Sequence, residues 1–148
     1  IRTDLEIALL EEGLAVKDLP GEWNHRYREM LGVVPANDAE GCLQDVHWSE
    51  GLFGSFPSYL LGHLISAQIS EAMTEAIGSP EKAVEGSDVS AVLSWLRDHV
   101  HHLGRSVNAE QLVTQVSGQP LSADAFLRYL EQKLAALNPT AMAGMARS

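Results

Sequence analysis

The sequence contains a single cysteine, Cys42, in 148 residues, and this excludes an internal disulfide. A lone thiol is typical of a reducing compartment, so we expect the protein to be cytoplasmic. Basic residues are also scarce: 10 Lys and Arg stand against 20 Asp and Glu, which gives a formal net charge of −10. Because nucleic-acid binding depends on clustered Lys and Arg, nucleic acid is not an expected partner.

Long hydrophobic runs are absent as well. The longest apolar stretch, YLLGHLISAQI, is interrupted by His63 and Gln68 and is too short to cross a bilayer. No secretory signal peptide is recognisable, and no membrane partner is expected. The chain begins IRTDLEIALL, without Met and already in a helical pattern. We therefore expect it to be part of a longer protein.

The sequence also lacks the alternation of apolar and polar residues that predicts strands, and it lacks internal repeats. Apolar residues recur at helical spacing almost throughout, so the predicted fold class is all-α, a compact multi-helix domain over residues 1–137. Residues 138–148, NPTAMAGMARS, carry no continuous apolar stripe and are expected to fray.

Capping residues, prolines and glycines give the boundaries of the predicted helices. These helices are one ending at Gly13, one from Pro20 to Gly32, a short one capped by Asn37 or Asp38 that carries Cys42 and Leu43, a long one from Pro57 to about Gly78, and three shorter ones at 87–104, 108–118 and 122–137. The apolar positions expected to face inward on the long helix and on the last helix are Leu60, Leu61, Leu64, Ile65, Ile69, Met73, Phe126, Leu127, Leu130 and Leu134.

Three histidines lie close together at the end of one predicted helix, and His99 and His102 share a helix face. A metal site would need a further ligand and a carboxylate behind the histidines, and the spacing provides neither. Histidines near a helix C-terminus also suit its partial negative charge, so a solvated helix end is the favoured interpretation. No metal ligand is predicted in this chain, and His25, His63 and Cys42 are assigned structural roles.

Residues 41–59, GCLQDVHWSEGLFGSFPSY, crowd hydrogen-bonding and aromatic groups together. His47 can donate to a carbonyl oxygen that gains negative charge, and Asp45 can orient such a donor. Gln44 offers both a donor and an acceptor. Tyr59, at the start of the long helix, can direct its hydroxyl to the same pocket. The residues alone favour a functional site only slightly over a buried polar network.

This stretch carries a resemblance to a known family. GCLQDVHW resembles the G-x-x-Q-D-x-H-W motif of the carboxypeptidase Taq family of metallocarboxypeptidases, with matches at Gly41, Gln44, Asp45, His47 and Trp48. Further segments resemble family motifs in the same order, namely LPGEWNHRYREMLGVVPANDAEG, FGSFPSYLLGHLISAQ, WLRDHVHHLGR and GQPLSADAFLRYLEQK. The resemblance covers nearly the whole chain apart from the tail.

The resemblance implies that the chain is the C-terminal portion of a zinc-dependent carboxypeptidase, which hydrolyses the C-terminal peptide bond of peptides. Zinc, or another divalent metal, is held in that family by an H-E-x-x-H helix and a later glutamate, and this sequence contains no H-E-x-x-H. The 148-residue chain alone is therefore expected to bind no catalytic metal and to be inactive. The opening IRTDLE does not match the family's I-R-x-x-A-D, so Arg2 is given no substrate role.

The resemblance also implies roles for individual residues. Residues 41–59 would form one wall of the peptidase cleft, with His47 and Tyr59 catalytic, holding the substrate and stabilising the oxyanion. Substrate-binding or supporting roles fall to Gln44, Asp45 and Trp48. The family has two tyrosines in its F-G-Y-F-P-S-Y motif, and Ser55 replaces the first of them. If that first tyrosine is the catalytic one, weak or altered activity is expected.

A second hypothesis assigns the chain to another class, a non-catalytic helical binding or dimerisation module that keeps a peptidase-like fold. Surface that would face the missing part of a longer protein should be apolar and exposed. We therefore expect a homo-oligomer. An in-frame H-E-x-x-H upstream would favour the peptidase over the binding module.

Overall fold

The computed structural model describes residues 1–137, and this part of the chain contains helices and turns but no strand, which confirms the all-α prediction. The α-helices are α1 (Arg2–Leu10), α2 (Leu19–Leu31), α3 (Phe56–Ile77), α4 (Pro80–Glu85), α5 (Ser90–His99), α6 (Ala109–Ser117) and α7 (Asp124–Leu137). None of the helices described is long and apolar enough to cross a membrane. The fraying expected of residues 138–148 concerns a segment outside the described residues.

The chain divides into two compact units, Ile1–Leu60 and a second that begins at Leu61. The core of the first unit is formed where α1, α2 and the segment after α2 meet, and its buried members are Leu5, Leu19, Trp23 and Cys42. Trp23 is 2% exposed and stacks on Tyr27 with 4.8 Å between ring centroids. This core supports the segment that carries the 41–59 motif.

Gly32 ends α2 as predicted, with a left-handed backbone (φ 67°) that L side chains rarely adopt. The predicted short helix around Cys42 is wrong, because residues 38–43 form successive turns instead. Asn37 does cap the first turn by accepting a hydrogen bond from the amide of Glu40 at 3.1 Å. The segment between Pro35 and Asp45 is short. A helix there cannot add the further turns whose hydrogen bonds would offset the free-energy cost of nucleation.

The long helix α3 begins at Phe56 and ends at Ile77, close to the predicted limits, and its residues from Leu61 onward belong to the second unit. Its buried Gln68 donates to the carbonyl of Pro120 at 2.9 Å and accepts from the amide of Ser122 at 3.1 Å. A buried amide needs such partners, and these two bonds fix the loop before α7. The buried apolar residues of this unit are Met73, Trp95, Val113 and Ala125.

The short helix α4 was not predicted, although its signals are present in the sequence. Ser79 is its N-cap and accepts from the amide of Lys82, and Pro80 occupies the first turn. The next helix was predicted from residue 87 to residue 104 and is shorter, Ser90–His99, followed by a separate 3₁₀ turn at His101–Leu103.

The last two helices begin largely as predicted. Asn108 caps α6 through a reciprocal capping box with Gln111, and Gly118 ends that helix at φ 70°. Ser122 accepts a hydrogen bond from the amide of Asp124 at the start of α7. Local polar signals were sufficient to place both starts.

Four of the leucines predicted to face inward are exposed, so those assignments are wrong. Their exposed fractions lie between 46% and 57%, and they are Leu60, Leu61, Leu127 and Leu134. Helical spacing predicts that one face is apolar, but it does not determine whether this chain itself covers that face.

One ion pair in the second unit predicts a pH effect. Nε and Nη2 of the Arg128 guanidinium donate to the two carboxylate oxygens of Glu71, at 2.8 and 2.7 Å respectively. These hydrogen bonds, reinforced by the positive charge of Arg128, hold the pKa of Glu71 below its ordinary value. Because the folded-state pKa is lowered, the stabilisation is present above the unfolded pKa and disappears as pH falls through the folded one.

We expect Glu71→Gln to lower the free energy of unfolding by only about 0.2–1 kcal/mol near neutral pH, since both side chains are about half exposed and screened. The difference from wild type should vanish well below about pH 4, the ordinary range of a Glu pKa. Urea denaturation at several pH values measures this. Glu75→Gln, one turn further along α3, is the matched control. A pH-independent loss would contradict the assignment.

Candidate active site

The centre of the site is a pair formed by His47 and Tyr59. The Nε2 atom of His47 lies 2.9 Å from the hydroxyl oxygen of Tyr59, which is in the first turn of α3. His47 itself lies in a turn closed by a hydrogen bond from the amide of Leu52 to the His47 carbonyl at 2.8 Å. The imidazole packs on Phe56 with 4.8 Å between ring centroids. A tight turn and a helix start thus bring two polar side chains together.

Asp45 faces the other nitrogen of the His47 ring. The Nδ1 atom is buried and has no hydrogen-bond partner among residues 1–137, but it lies 3.8 Å from Oδ1 of Asp45. A lone pair directed at a carboxylate is repelled and an N–H is attracted, so Asp45 favours a proton on Nδ1. In a neutral ring with that proton, Nε2 is an acceptor and the Tyr59 hydroxyl donates to it.

Two charged residues of α1 hold the segment that carries this pair. Arg2 Nε donates to Oδ2 of Asp45. The buried carboxylate of Glu6 accepts from the indole N–H of Trp48 at 2.8 Å and from the amide of Gly54 at 2.5 Å. Gly54 has a left-handed backbone (φ 72°), which a side chain would strain. These contacts join residues more than 40 positions apart in the sequence.

The sequence analysis missed Arg2 and Glu6 as members of the site, and Phe56 as well. Their charges gave no usable signal, because opposite charges four residues apart on a helix can pair with each other, whereas here each bonds the 41–59 segment. Glu6 also adjoins Leu5, which is fully buried, so its carboxylate is carried into the interior with that face of the helix.

Four of the five predicted site residues therefore lie in one connected group: Asp45, His47, Trp48 and Tyr59. Gln44 is apart from them. It is exposed and lines an open cleft of about 420 Å³ whose other walls are Trp23, Tyr27, Val33, Val34, Pro35, Ala36 and Glu40.

Ser55, which replaces the first tyrosine of the family motif, is half-buried, and its hydroxyl lies 3.5 Å from the carbonyl of Leu52. It has no contact with His47 among the hydrogen bonds of the described chain. Tyr59, which is 58% exposed, lies beside the histidine. The His47–Tyr59 pair is consequently reachable from solvent.

A metal does not fit the residues present. Within residues 1–137 no three His, Cys, Asp or Glu side chains are grouped so that they could hold a metal ion. The ring of His99 stacks on Trp95 with 4.5 Å between centroids, and its Nδ1 lies 2.9 Å from the Trp95 carbonyl. Cys42 is in the core, where burial, and secondarily the charge of Asp38, raises the pKa of its thiol. It is therefore a packing residue.

A family comparison matches nearly the whole described chain. The family model for carboxypeptidase Taq (M32) metallopeptidases matches residues 1–134. Among curated relatives, thermostable carboxypeptidase 1 of Thermus thermophilus is 41% identical over 137 residues, which is 93% of this chain and 27% of that protein. Carboxypeptidase 1 of Bacillus subtilis is 36% identical over 90% of this chain and 26% of its own length.

Solved structures agree in fold. An M32 carboxypeptidase from Deinococcus radiodurans superposes with a TM-score of 0.84 at 36% identity, covering 94% of this chain and 28% of that one. Metallocarboxypeptidase 1 of Trypanosoma cruzi gives a TM-score of 0.80 at 31% identity, over 88% and 28%. The chain thus spans about a quarter of the length of the relatives it matches.

Proposed function

This chain belongs to the carboxypeptidase Taq (M32) metallopeptidase family, and on that basis we propose that the full-length protein is a metal-dependent carboxypeptidase that hydrolyses the C-terminal peptide bond of peptides. The chain described here is its C-terminal portion and supplies a wall that binds substrate and stabilises the oxyanion. The observation that carries the proposal is the solvent-accessible His47–Tyr59 pair, with 2.9 Å between Nε2 and the hydroxyl oxygen.

The two polar groups of the pair act on the same substrate oxygen. Atoms this close can both donate to one carbonyl oxygen placed between them and the solvent. When that carbonyl becomes tetrahedral its oxygen gains negative charge, and both hydrogen bonds strengthen, so the transition state is stabilised more than the bound peptide. For His47 this role requires a proton on both ring nitrogens, with Asp45 facing the Nδ1–H. The Tyr59 hydroxyl, which donates to Nε2 of the neutral ring, then donates to the substrate oxygen instead.

Tyr59 serves as the tyrosine of the pair. Its hydroxyl is already at the histidine, whereas Ser55 bonds towards its own turn. With Ser55 in place of the first tyrosine of the family motif, Tyr59 still provides a hydroxyl at His47 that can donate to the substrate.

The remaining predicted residues bind or support the substrate. Gln44 presents an exposed amide that can donate to and accept from a peptide backbone. Asp45 and Trp48 support the site without contacting the substrate. Asp45 orients the His47 ring, and Trp48 packs on Phe56 with 5.7 Å between ring centroids. Peptides are the substrate class, and a homo-oligomer is the proposed assembly.

The catalytic metal, zinc or another divalent ion, is proposed to be held by a part of the full-length protein that this chain does not contain, since its described residues do not form a site. The chemistry such an ion supplies is activation of water and polarisation of the scissile carbonyl. The role proposed for the residues described above is to bind and orient the peptide and to donate hydrogen bonds to that carbonyl.

The test compares the full-length protein with the 148-residue chain. We expect the full-length protein to release the C-terminal residue of an N-blocked peptide, to lose this activity to a chelator and to regain it with zinc. The isolated chain should contain no stoichiometric zinc after dialysis and should release nothing. Stoichiometric zinc together with trimming by the isolated chain would overturn the assignment of the metal site.

Absence of trimming by the metal-loaded full-length protein would favour the second function, a non-catalytic binding or dimerisation module. The observation in favour of this alternative is the exposed apolar surface of the first unit, which includes Val33, Val34, Leu43, Val46, Leu52 and Phe53. Patches of this kind mark surfaces that other protein covers.

A further inference from the structure

We propose that Arg2 and Glu6 are positioning residues for the reaction, because they hold the 45–54 segment to α1 and thereby set the orientation and the protonated nitrogen of the His47 ring. This inference rests on the proposed function for its catalytic consequence. Its structural part, the state of the imidazole, can be tested without any activity.

Glu6 fixes the segment on both sides of the turn that follows His47. Its side chain is 5% exposed, and a carboxylate so far from water is stable only with donors directed at it. Both of its oxygens have one: the Trp48 indole at 2.8 Å and the Gly54 amide at 2.5 Å. Trp48 is the neighbour of His47, and Gly54 precedes the start of α3. Glu6 therefore fixes the distance between the histidine and the helix that carries Tyr59.

Arg2 acts through Asp45. Its guanidinium lies 5.8 Å from the Trp23 ring centroid, which holds the side chain against the core, and it donates to Oδ2 of Asp45. The other carboxylate oxygen, Oδ1, is left facing Nδ1 of His47 at 3.8 Å. Without the arginine the carboxylate can rotate, and the preference for a proton on Nδ1 disappears.

A merely structural role makes a different prediction. Bonds that only stabilise the fold would, when removed, lower the fraction of folded molecules and leave the imidazole of the folded ones unchanged. A positioning role changes the ring itself. The location of the ring proton therefore separates the two.

Nitrogen NMR of the 148-residue chain measures the ring directly. In the wild type we expect the neutral His47 ring to carry its proton on Nδ1. Arg2→Gln should convert it to a mixture of both tautomers, and Arg2→Lys, which keeps a donor and the charge, should restore much of the original state. Arg28→Gln, an exposed arginine of α2, is the control. Since Arg2 is half-exposed, its variants are expected to fold.

Glu6→Gln tests the second contact with nearly unchanged shape. A glutamine amide has one acceptor and one donor, so it can satisfy Trp48 or Gly54 but turns an N–H towards the other. We expect faster solvent exchange of the abandoned N–H group. In the full-length protein kcat should fall by about 10- to 100-fold with KM nearly constant, because a displaced catalytic group is costly in rate. Glu12→Gln, exposed just beyond α1, removes the same charge as the control.

The outcomes separate this inference from the proposed function. An unchanged His47 tautomer in Arg2→Gln, or wild-type kcat in folded Glu6→Gln while His47→Ala is impaired, would overturn the positioning role. Near-normal turnover of His47→Ala would overturn the proposed function itself, whatever the state of the ring. If Glu6→Gln fails to fold, the tautomer in Arg2→Gln still decides.

Discussion

Replacing His47 with alanine in the full-length protein is expected to lower kcat by about 100- to 1000-fold, which corresponds to about 2.7–4 kcal/mol of lost transition-state stabilisation. The loss falls mainly on kcat because the carbonyl of the bound peptide carries less charge than the tetrahedral intermediate. Steady-state kinetics on a C-terminally cleaved peptide measure both constants.

The control for this variant is its stability. If His47 had only a structural role, alanine would remove its packing on Phe56 and its hydrogen bond with Tyr59, and would lower the free energy of unfolding by about 0.5–3 kcal/mol. Turnover per folded molecule would then hardly change. Melting and kinetics measured on the same preparation distinguish the two roles, and near-normal turnover of the folded variant would end the catalytic assignment.

Trp23→Ala is expected to have the largest effect on folding, a loss of about 3–5 kcal/mol in the free energy of unfolding. Trp23 is 2% exposed at the centre of the first unit's core and stacks on Tyr27. Alanine removes the indole from contact with Leu5 and Leu19 and leaves a cavity that the surrounding helices can fill only in part. Since small domains are stable by only about 5–15 kcal/mol, this is a large fraction of the total.

Urea denaturation followed at the indole N–H signal of Trp48 measures this loss within the same unit. Trp48 packs against the core that contains Trp23, so its signal reports the state of that core. Val16→Ala, at a side chain 78% exposed, should change stability by less than about 0.5 kcal/mol. A loss of under about 1 kcal/mol for Trp23→Ala would contradict the assigned core.

Features set by local chemistry could be predicted from the sequence. The end of α2 at Gly32 and the start of α6 at Asn108 each depend on one residue type with a specific backbone or capping preference. The long helix α3 was predicted because Pro57 and Gly78 bracket a long apolar stretch. In each case the deciding interaction lies within one or two helical turns.

Features set by distant contacts could not be predicted in this way. The pairing of Glu6 with Trp48 and Gly54 depends on how α1 packs against a segment more than 40 residues away. The spacing of apolar residues along the sequence predicts neither contact.

The sequence predicted the proximity of His47 and Tyr59 but not the position of Gln44. The motif placed His47 and Tyr59 in one pocket, and the structure brings their side chains within hydrogen-bond distance. The same motif grouped Gln44 with them, yet Gln44 lines a separate cleft together with Trp23 and Tyr27. Their catalytic roles remain proposals that kinetics must test.

The most direct measurement is a double-mutant cycle on kcat/KM in the full-length protein, with His47→Ala, Tyr59→Phe and the double variant. Because both groups are proposed to donate to one developing oxyanion and lie 2.9 Å apart, their losses should not add. We expect a coupling energy of about 0.5–3 kcal/mol, with the double variant hardly slower than His47→Ala. Two near-normal single variants, or losses that add fully, would contradict a shared catalytic role for the pair.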